Sequence, residues 1–329
     1  MIKTYHGVAV KQRKIHLIFG ASGFVGRHLA QYLAARGKSV VGTVCHSAEH
    51  SRLIEGVKLV RCDVTKGKSV ERILRHYQPA YVYFLSALSS VRQSWINPVS
   101  VMTVNCLGGI HVLEAARHLG LKTKLLFFSS GTVYGASYLK HPKITEGTCL
   151  LPQDPYSVSK AALDYFVHMY AKVFHVSSLS VRFANLVGSD QTTRFSLSNF
   201  ACQIARMEKG RQPRLMRVGN LKARRDFLDV RDGVRAIALV MRQGRAGEVY
   251  HIGCGKARSL QSVLQQMLRF SKFGAYRIKI SVDTSMISKD EIPAMTLDVS
   301  KLKRLTGWQP QIPFRQTLLD LLDHFRSVS

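Results

Sequence analysis

Lys14-Ile15-His16-Leu17-Ile18-Phe19-Gly20-Ala21-Ser22-Gly23-Phe24-Val25-Gly26 is the stretch that decides the fold. A short apolar run ends at Gly20, and Phe24 to Arg36 then reads as a helix closed by Gly37. Glycines at 20, 23 and 26 suit a turn where the chain reverses tightly, backbone approaches a pyrophosphate, and helix and strand pack closely. The helix N-terminus presents free N–H groups and a positive dipole end to the phosphates. The loop therefore reads as a dinucleotide site, with Gly20, Ser22, Gly23, Phe24, Val25 and Gly26 as candidate cofactor contacts.

Working outward, apolar runs recur at Val40–Val44, Val57–Val60, Ala80–Leu85, Lys124–Phe128 and Leu179–Phe183. Helical stretches sit between several of them, at Lys68–Tyr77, Cys106–Leu119 and Tyr156–Phe174. Strands alternating with helices predict βαβ units and a parallel sheet covered on both faces. The expected class is α/β: a Rossmann-type doubly wound sheet over residues 12–185, with contributions from about 225–253. Beyond Leu186 the alternation becomes irregular, with helical pieces at Leu197–Lys209 and Leu260–Phe270, which predicts a smaller α/β substrate domain over 186–329.

Composition narrows the class. Of 329 residues, 46% are apolar, enough to bury a core and too many for a disordered chain. No window approaches the ~18 uninterrupted apolar residues of a membrane span. The basic start lacks an apolar h-region, so export is not expected and a cytoplasmic location is. The six cysteines (45, 62, 106, 149, 202, 254) show no C-x-x-C and no grouping with histidine, which argues against a disulfide scaffold or a metal site. Lys and Arg number 48 against 20 acids, a balance of +28. That excess is split evenly: residues 1–150 carry 20 basic and 6 acidic side chains, and 151–329 carry 28 and 14. With no zinc-finger pattern, RNP-like strand or basic heptad run, we expect a basic surface that attracts anionic ligands, not a nucleic-acid binder.

Two features specify chemistry. The second strand and its exit read Val40-Val41-Gly42-Thr43-Val44-Cys45-His46-Ser47, with no carboxylate before Glu49. An NAD site usually places an acid there for the adenosine ribose hydroxyls, and that acid would repel a 2′-phosphate. Its absence favours NADP over NAD, with Ser47, His46 and Arg52 as phosphate contacts. Further on, Tyr156 and Lys160 stand four apart on one helical face. A neighbouring ammonium favours the phenolate and is expected to lower the tyrosine pKa, allowing proton exchange with a carbonyl or alcohol oxygen. Upstream, Phe127-Phe128-Ser129-Ser130-Gly131-Thr132-Val133-Tyr134-Gly135 is an apolar strand ending in hydroxyls. Ser130, Tyr156 and Lys160 are thus a candidate hydride-transfer triad, with Lys160 also holding the nicotinamide ribose.

On these motifs the chain resembles an extended short-chain dehydrogenase/reductase of the nucleotide-sugar class, from Lys14 to about Leu322. Leu215-Met216-Arg217-Val218-Gly219-Asn220-Leu221-Lys222-Ala223-Arg224-Arg225-Asp226-Phe227 resembles a segment of the GDP-mannose 4,6-dehydratase branch, which includes GDP-4-keto-6-deoxymannose reductases. Tyr250-His251-Ile252-Gly253 and Thr306-Gly307-Trp308-Gln309-Pro310 match further landmarks, with His251 where asparagine is common. Asp63, Val64 and Ser86 join the expected cofactor contacts. The resemblance implies a GDP-sugar substrate, with Asn185 and Arg225 on the diphosphate and Ser130, Thr132, Arg217 and Lys289 as further substrate contacts. It also implies a homodimer through helices Cys106–Leu119 and Tyr156–Phe174. Asp226 and Asp229 are expected to hold local geometry instead of doing chemistry.

Dehydratases, reductases and epimerases share the Tyr/Lys pair. By resemblance, the dehydratases carry a glutamate two positions after the Ser/Thr, where this chain has Thr132. A threonine hydroxyl is too weak an acid or base for elimination. The favoured activity is therefore NADPH-dependent reduction of the 4-keto group of a GDP-linked 4-keto-6-deoxyhexose. A 4-epimerase or epimerase/reductase is the alternative, since Ser129-Ser130-Gly131-Thr132-Val133-Tyr134-Gly135 also resembles the UDP-galactose 4-epimerase pattern. A nucleotide- or RNA-binding protein on the same fold is the non-enzymatic alternative.

Overall fold

The structure, a computed structural model, describes residues 14–45, 54–141, 143–274, 277–287 and 291–328. The chain opens with β1 (Ile15–Phe19), the glycine turn, α1 (Phe24–Ala34), β2 (Ser39–Val44), β3 (Val57–Arg61), α2 (Gly67–Tyr77) and β4 (Tyr81–Phe84). Next come α3 (Val91–Ile96), α4 (Pro98–Met102), a π-helical turn (Thr103–Leu107), α5 (Gly108–His118) and β5 (Lys124–Ser130). A 3-10 segment (Gly131–Leu139) leads to α6 (Pro155–Val173) and β6 (Ser178–Phe183). Then follow β7 (Asn185–Val187), α7 (Ser196–Glu208), β8 (Leu215–Val218), β9 (Arg224–Asp229), α8 (Val230–Gln243) and β10 (Val249–Ile252). The chain closes with β11 (Ala257–Ser259), α9 (Leu260–Arg269), β12 (Lys279–Val282), β13 (Ala294–Met295), α10 (Ser300–Thr306) and α11 (Phe314–Val328).

Seven parallel strands form the main sheet in the order β10-β6-β5-β4-β1-β2-β3. β1 lies near the centre and reads as an unbroken apolar run because helices cover both faces, leaving Leu17, Ile18 and Phe19 fully buried. On one face, Leu29 and Leu33 of α1 pack with Val234, Ile237 and Val240 of α8. On the other, α2, α5 and α6 bring Val70, Leu74, Leu113 and Leu163 onto Leu17, Phe84 and Phe127. Strand order reverses between β1 and β4, so the crevice beyond their C-terminal ends is where such sheets bind ligands.

The remaining elements gather around a separate apolar cluster that joins α7, α9 and α11 through Phe200, Ile204, Leu264, Leu318 and Leu322. They carry two small sheets, β11-β9-β13 with β7 added on β9, and β12-β8. After β9 the chain returns to the main sheet, where α8 packs on one face and β10 forms an edge strand. Most observed bounds lie within two residues of the sequence reading. The exception is the helix expected from Cys106, which begins at Pro98 and reaches His118 by way of the π turn. Among the described residues it is the one helix long and apolar enough to cross a membrane, and half of its apolar stretch is buried inside the protein.

Candidate active site

The glycine turn is shaped by close approach. Gly20 has φ +85°, and a Cβ there would meet the Ser86 nitrogen at 2.8 Å, so the end of β1 presses on the end of β4. A Cβ on Gly26 would meet the Gly20 carbonyl oxygen at 2.2 Å. Gly23 differs: the nearest atom to its Cβ would be the Gly20 oxygen, at 3.4 Å. Nothing inside the protein demands glycine at 23, which fits a cradle whose space is reserved for a phosphate at the start of α1. Ser22 and Gly23 are exposed there, while Phe24 and Val25 are half-buried.

The ends of β3 and β4 form the neighbouring wall. Asp63 accepts hydrogen bonds from the Thr65 nitrogen (3.0 Å) and hydroxyl (2.7 Å), and these hold its carboxyl below the usual range. Val64 is buried, its carbonyl paired with His111 Nδ1 at 2.9 Å. His46, Ser47 and Arg52, read as contacts of a 2′-phosphate, lie outside the described residues.

Tyr156 and Lys160 are set by the start of α6. Asp154 caps that helix, accepting from the Ser157 nitrogen (2.9 Å) and hydroxyl (2.7 Å), and Pro155 occupies the first helical position. Lys160 is 3% exposed and its Nζ donates to the Phe128 carbonyl at 2.7 Å. Ser130, at the end of β5, is near enough to the Tyr156 phenol for its hydroxyl to favour the phenolate. The Ser130 hydroxyl oxygen also accepts from the Thr132 nitrogen (3.2 Å) and hydroxyl (2.9 Å). The structure thus brings the three residues of the expected triad to one place, beside a pocket lined by Ser130, Thr132, Phe183, Asn185, Asp226 and Leu297, among others.

One electrostatic expectation is corrected. Tyr156 is not made more acidic: burial pushes its phenol up to about 12, against a lowering by the Ser130 hydroxyl. Burial likewise draws Lys160 down to about 8, opposed by the Asp164 carboxylate. Loss of hydration disfavours phenolate and ammonium alike. At neutral pH the phenol therefore carries its proton and the lysine is mostly charged.

The residues expected on the substrate diphosphate are dispersed. Asn185, exposed at the start of β7, lines the pocket. Arg225 on β9 is engaged already, donating to Glu291 Oε1 at 3.0 Å and the Ile292 carbonyl at 2.8 Å, while Glu291 also accepts from Asn220 at 2.8 Å. Arg217 is exposed on β8 and is not among the pocket-lining residues. Lys289 lies outside the described residues. Asp226 and Asp229 hold geometry as expected. Asp226 accepts the Cys254 and Gly255 nitrogens, both at 2.9 Å, and Asp229 caps α8 and accepts from Thr317 at 2.9 Å.

The sequence reading missed Asn105. It is fully buried in the π turn, donating to the Leu88 carbonyl (3.1 Å) and the Ser159 hydroxyl (3.0 Å) and accepting from the Leu88 nitrogen (2.8 Å). It ties the loop after β4 to α6 beside Lys160. The π turn is what aims it there, and π turns gather at functional sites. Pro98, well placed to start a helix, was the available signal for the longer helix.

Residues 17–321 match the profile of the family described as GDP-mannose 4,6 dehydratase. A GDP-6-deoxy-D-mannose reductase from Pseudomonas aeruginosa is 28% identical over 311 residues, covering 94% of this chain and 96% of the relative. The solved structure of RMD from Pseudomonas aeruginosa complexed with NADPH superposes with a TM-score of 0.82 at 27% identity, covering 96% of this chain and 100% of that one. The Thermus thermophilus UDP-glucose 4-epimerase in complex with NAD gives 0.79 at 26% identity, with coverage of 96% and 100%.

Proposed function

Because the chain belongs to the GDP-mannose 4,6 dehydratase family, whose members modify nucleotide sugars with a nicotinamide cofactor, we propose that it is an NADPH-dependent reductase of a GDP-linked 4-keto-6-deoxyhexose. The observation that carries this reading is Thr132. It stands where the family's dehydratases place a glutamate, and its hydroxyl is spent on Ser130 at 2.9 Å. The one carboxylate among the pocket-lining residues, Asp226, is held by two backbone N–H groups. Neither side chain suits the acid–base work that eliminating water demands.

Gly20, Ser22, Gly23, Phe24, Val25 and Gly26, with Asp63, Val64 and Ser86, would hold a reduced nicotinamide dinucleotide, which would supply a hydride for the C4 carbonyl carbon. Ser130 orients the ketone oxygen by hydrogen bonding. Tyr156, which holds its proton at neutral pH, gives that proton to the developing alkoxide. A tyrosine poised as an acid suits a reaction that begins with reduction; one that begins by oxidising C4 needs the phenolate first. Lys160 offsets the charge left on Tyr156 and holds the nicotinamide ribose. Asn185 and Arg225 grip the diphosphate, Arg225 leaving Glu291 to do so, with Arg217 and Lys289 nearby in sequence. Lack of an acid before Glu49 supports NADP over NAD, and the basic surface supports an anionic substrate.

We read the protein as a cytoplasmic homodimer. Val99, Leu107, Val158, Tyr165 and Val173 are exposed apolar residues on the α4–α5 helix and α6, the two helices expected at the seam.

Incubation with GDP-4-keto-6-deoxymannose and either NADPH or NADH, with product analysis, tests the proposal. Stoichiometric consumption of NADPH with formation of the 4-hydroxy sugar is expected. Water loss from GDP-mannose would establish a dehydratase. Interconversion of 4-epimers without net cofactor consumption would establish an epimerase.

A further inference from the structure

A chain of buried polar groups runs behind the Tyr156–Lys160 pair without lining the pocket. We propose that Asp164 is the positioning residue of this pair: it locks α6 in register on the end of β5 and sets a carboxylate one helical turn from Lys160. The inference rests on the reading of Tyr156 and Lys160 given above.

Three consecutive residues of β5 meet three residues of α6 spaced four apart. The Ser130 hydroxyl acts on the Tyr156 phenol, the Phe128 carbonyl accepts from Lys160 at 2.7 Å, and the Ser129 hydroxyl donates to Asp164 Oδ2 at 2.8 Å. Residues four apart share a helix face, so any slide of α6 along the strand breaks both bonds and separates Ser130 from Tyr156. Asp164 is 4% exposed, and its Oδ2 also accepts from Arg182 Nε at 2.8 Å.

Beyond Arg182 the direction of each bond is determined. Arg182 donates through Nη1 to the Tyr134 hydroxyl oxygen at 2.6 Å. His251 Nδ1 lies 2.9 Å from the Asp298 carbonyl, which only accepts, so Nδ1 carries the proton. Nε2 is then the acceptor for the Tyr134 hydroxyl, 2.6 Å away, and the imidazole is neutral. Burial agrees, holding His251 down to about 3. Everything after Arg182 is therefore uncharged, and Asp164 is its only ion-pair partner among the described residues.

The charged and titratable groups around Lys160 can be named element by element. Tyr156 and Asp164 lie on α6, Arg182 on β6, Tyr134 on the 3-10 segment and His251 on β10. Glu146, whose carboxyl accepts the His251 nitrogen at 3.1 Å, is pushed up by burial. On the α5 side, Glu114 is taken by Arg117 and Tyr170, further along α6. Asp164 is the charge that acts on Lys160 and resists its loss of a proton. Without it, two cations share a buried site.

The test is the pH dependence of NADPH affinity, read by nicotinamide fluorescence on the full chain. In the wild type, affinity should weaken above about pH 8 as Lys160 loses its proton, and Lys160→Met should abolish this limb. In Asp164→Asn the limb should move down by about one pH unit or more, with affinity at pH 6 kept within about threefold. Asp164→Glu should restore it. If the orphaned Arg182 prevents folding of Asp164→Asn, the double variant Asp164→Asn/Arg182→Met removes both charges, and its limb must still fall below that of the wild type. A limb at the wild-type position in the folded variant overturns the role of Asp164. A wild-type protein with no limb, or one that Lys160→Met leaves in place, overturns instead the reading of Lys160.

Discussion

Replacing Tyr156 with phenylalanine removes one oxygen, the proton donor of the proposed reduction. The phenol, raised to about 12, is protonated in essentially every molecule at pH 7. In its absence only the hydroxyls of Ser130 and Thr132 remain near the ketone, and neither donates a proton at a useful rate. Loss of a positioned acid costs about 10²–10⁴ in rate, or roughly 3–5.5 kcal/mol of transition-state stabilisation. Folding should suffer little, because Ser130 keeps its two bonds from Thr132 at 3.2 and 2.9 Å; we expect about 1 kcal/mol or less. Cofactor affinity should stay within about threefold, because Lys160 is anchored on the Phe128 carbonyl and not through Tyr156. The assay pairs single-turnover oxidation of NADPH in the presence of ketosugar with NADPH titration and a thermal melt. Turnover above about a tenth of wild type would refute the acid assignment. A parallel loss of affinity and turnover would show that Tyr156 binds and does not transfer the proton.

The glycine turn predicts a dissociation of effects. Gly26→Ala drives a methyl to 2.2 Å from a backbone oxygen and should cost about 1–3 kcal/mol in a denaturant melt. Gly23→Ala meets nothing nearer than 3.4 Å and should melt like the wild type while binding NADPH at least about tenfold more weakly; wild-type binding would remove the phosphate reading. Glu208, 2% exposed in its side chain, is gripped by the Arg326 fork at 2.8 Å on both oxygens, joining α7 to α11. Burial pushes its carboxyl up, yet Arg326 wins and the folded pKa lies below the ordinary value. Its stabilisation is thus complete above about pH 4.3 and fades as pH falls through the lowered folded value. Glu208→Gln should lose about 2 kcal/mol at pH 7 and almost nothing near pH 3, and an equal loss at both would contradict the ion pair.

Much of the fold was readable because its determinants are local. An apolar run ending at Gly20 and a helix closed at Gly37 needed no partner to be recognised, and Gly37 indeed takes φ +68°. Tyr156 and Lys160 were readable because helical geometry alone puts them on one face. Thr132 was legible as a departure from pattern. Asn105 was not, since an extra residue in a helical turn leaves no trace in apolar spacing. Asp164 has the look of an ordinary helical acid until Ser129 and Arg182 arrive from two different strands.

The amino-acid order alone determined which segments become strands and helices and which residues could move a proton, because these follow from side-chain identity and short-range spacing. Only the tertiary structure decided how those groups are charged. It half-buried Tyr156 and buried Lys160, reversing the expected direction for the phenol, and it spent Arg225 on Glu291. Hydration and Coulomb energies depend on what surrounds a group in space, and residues far apart in the chain supply those surroundings.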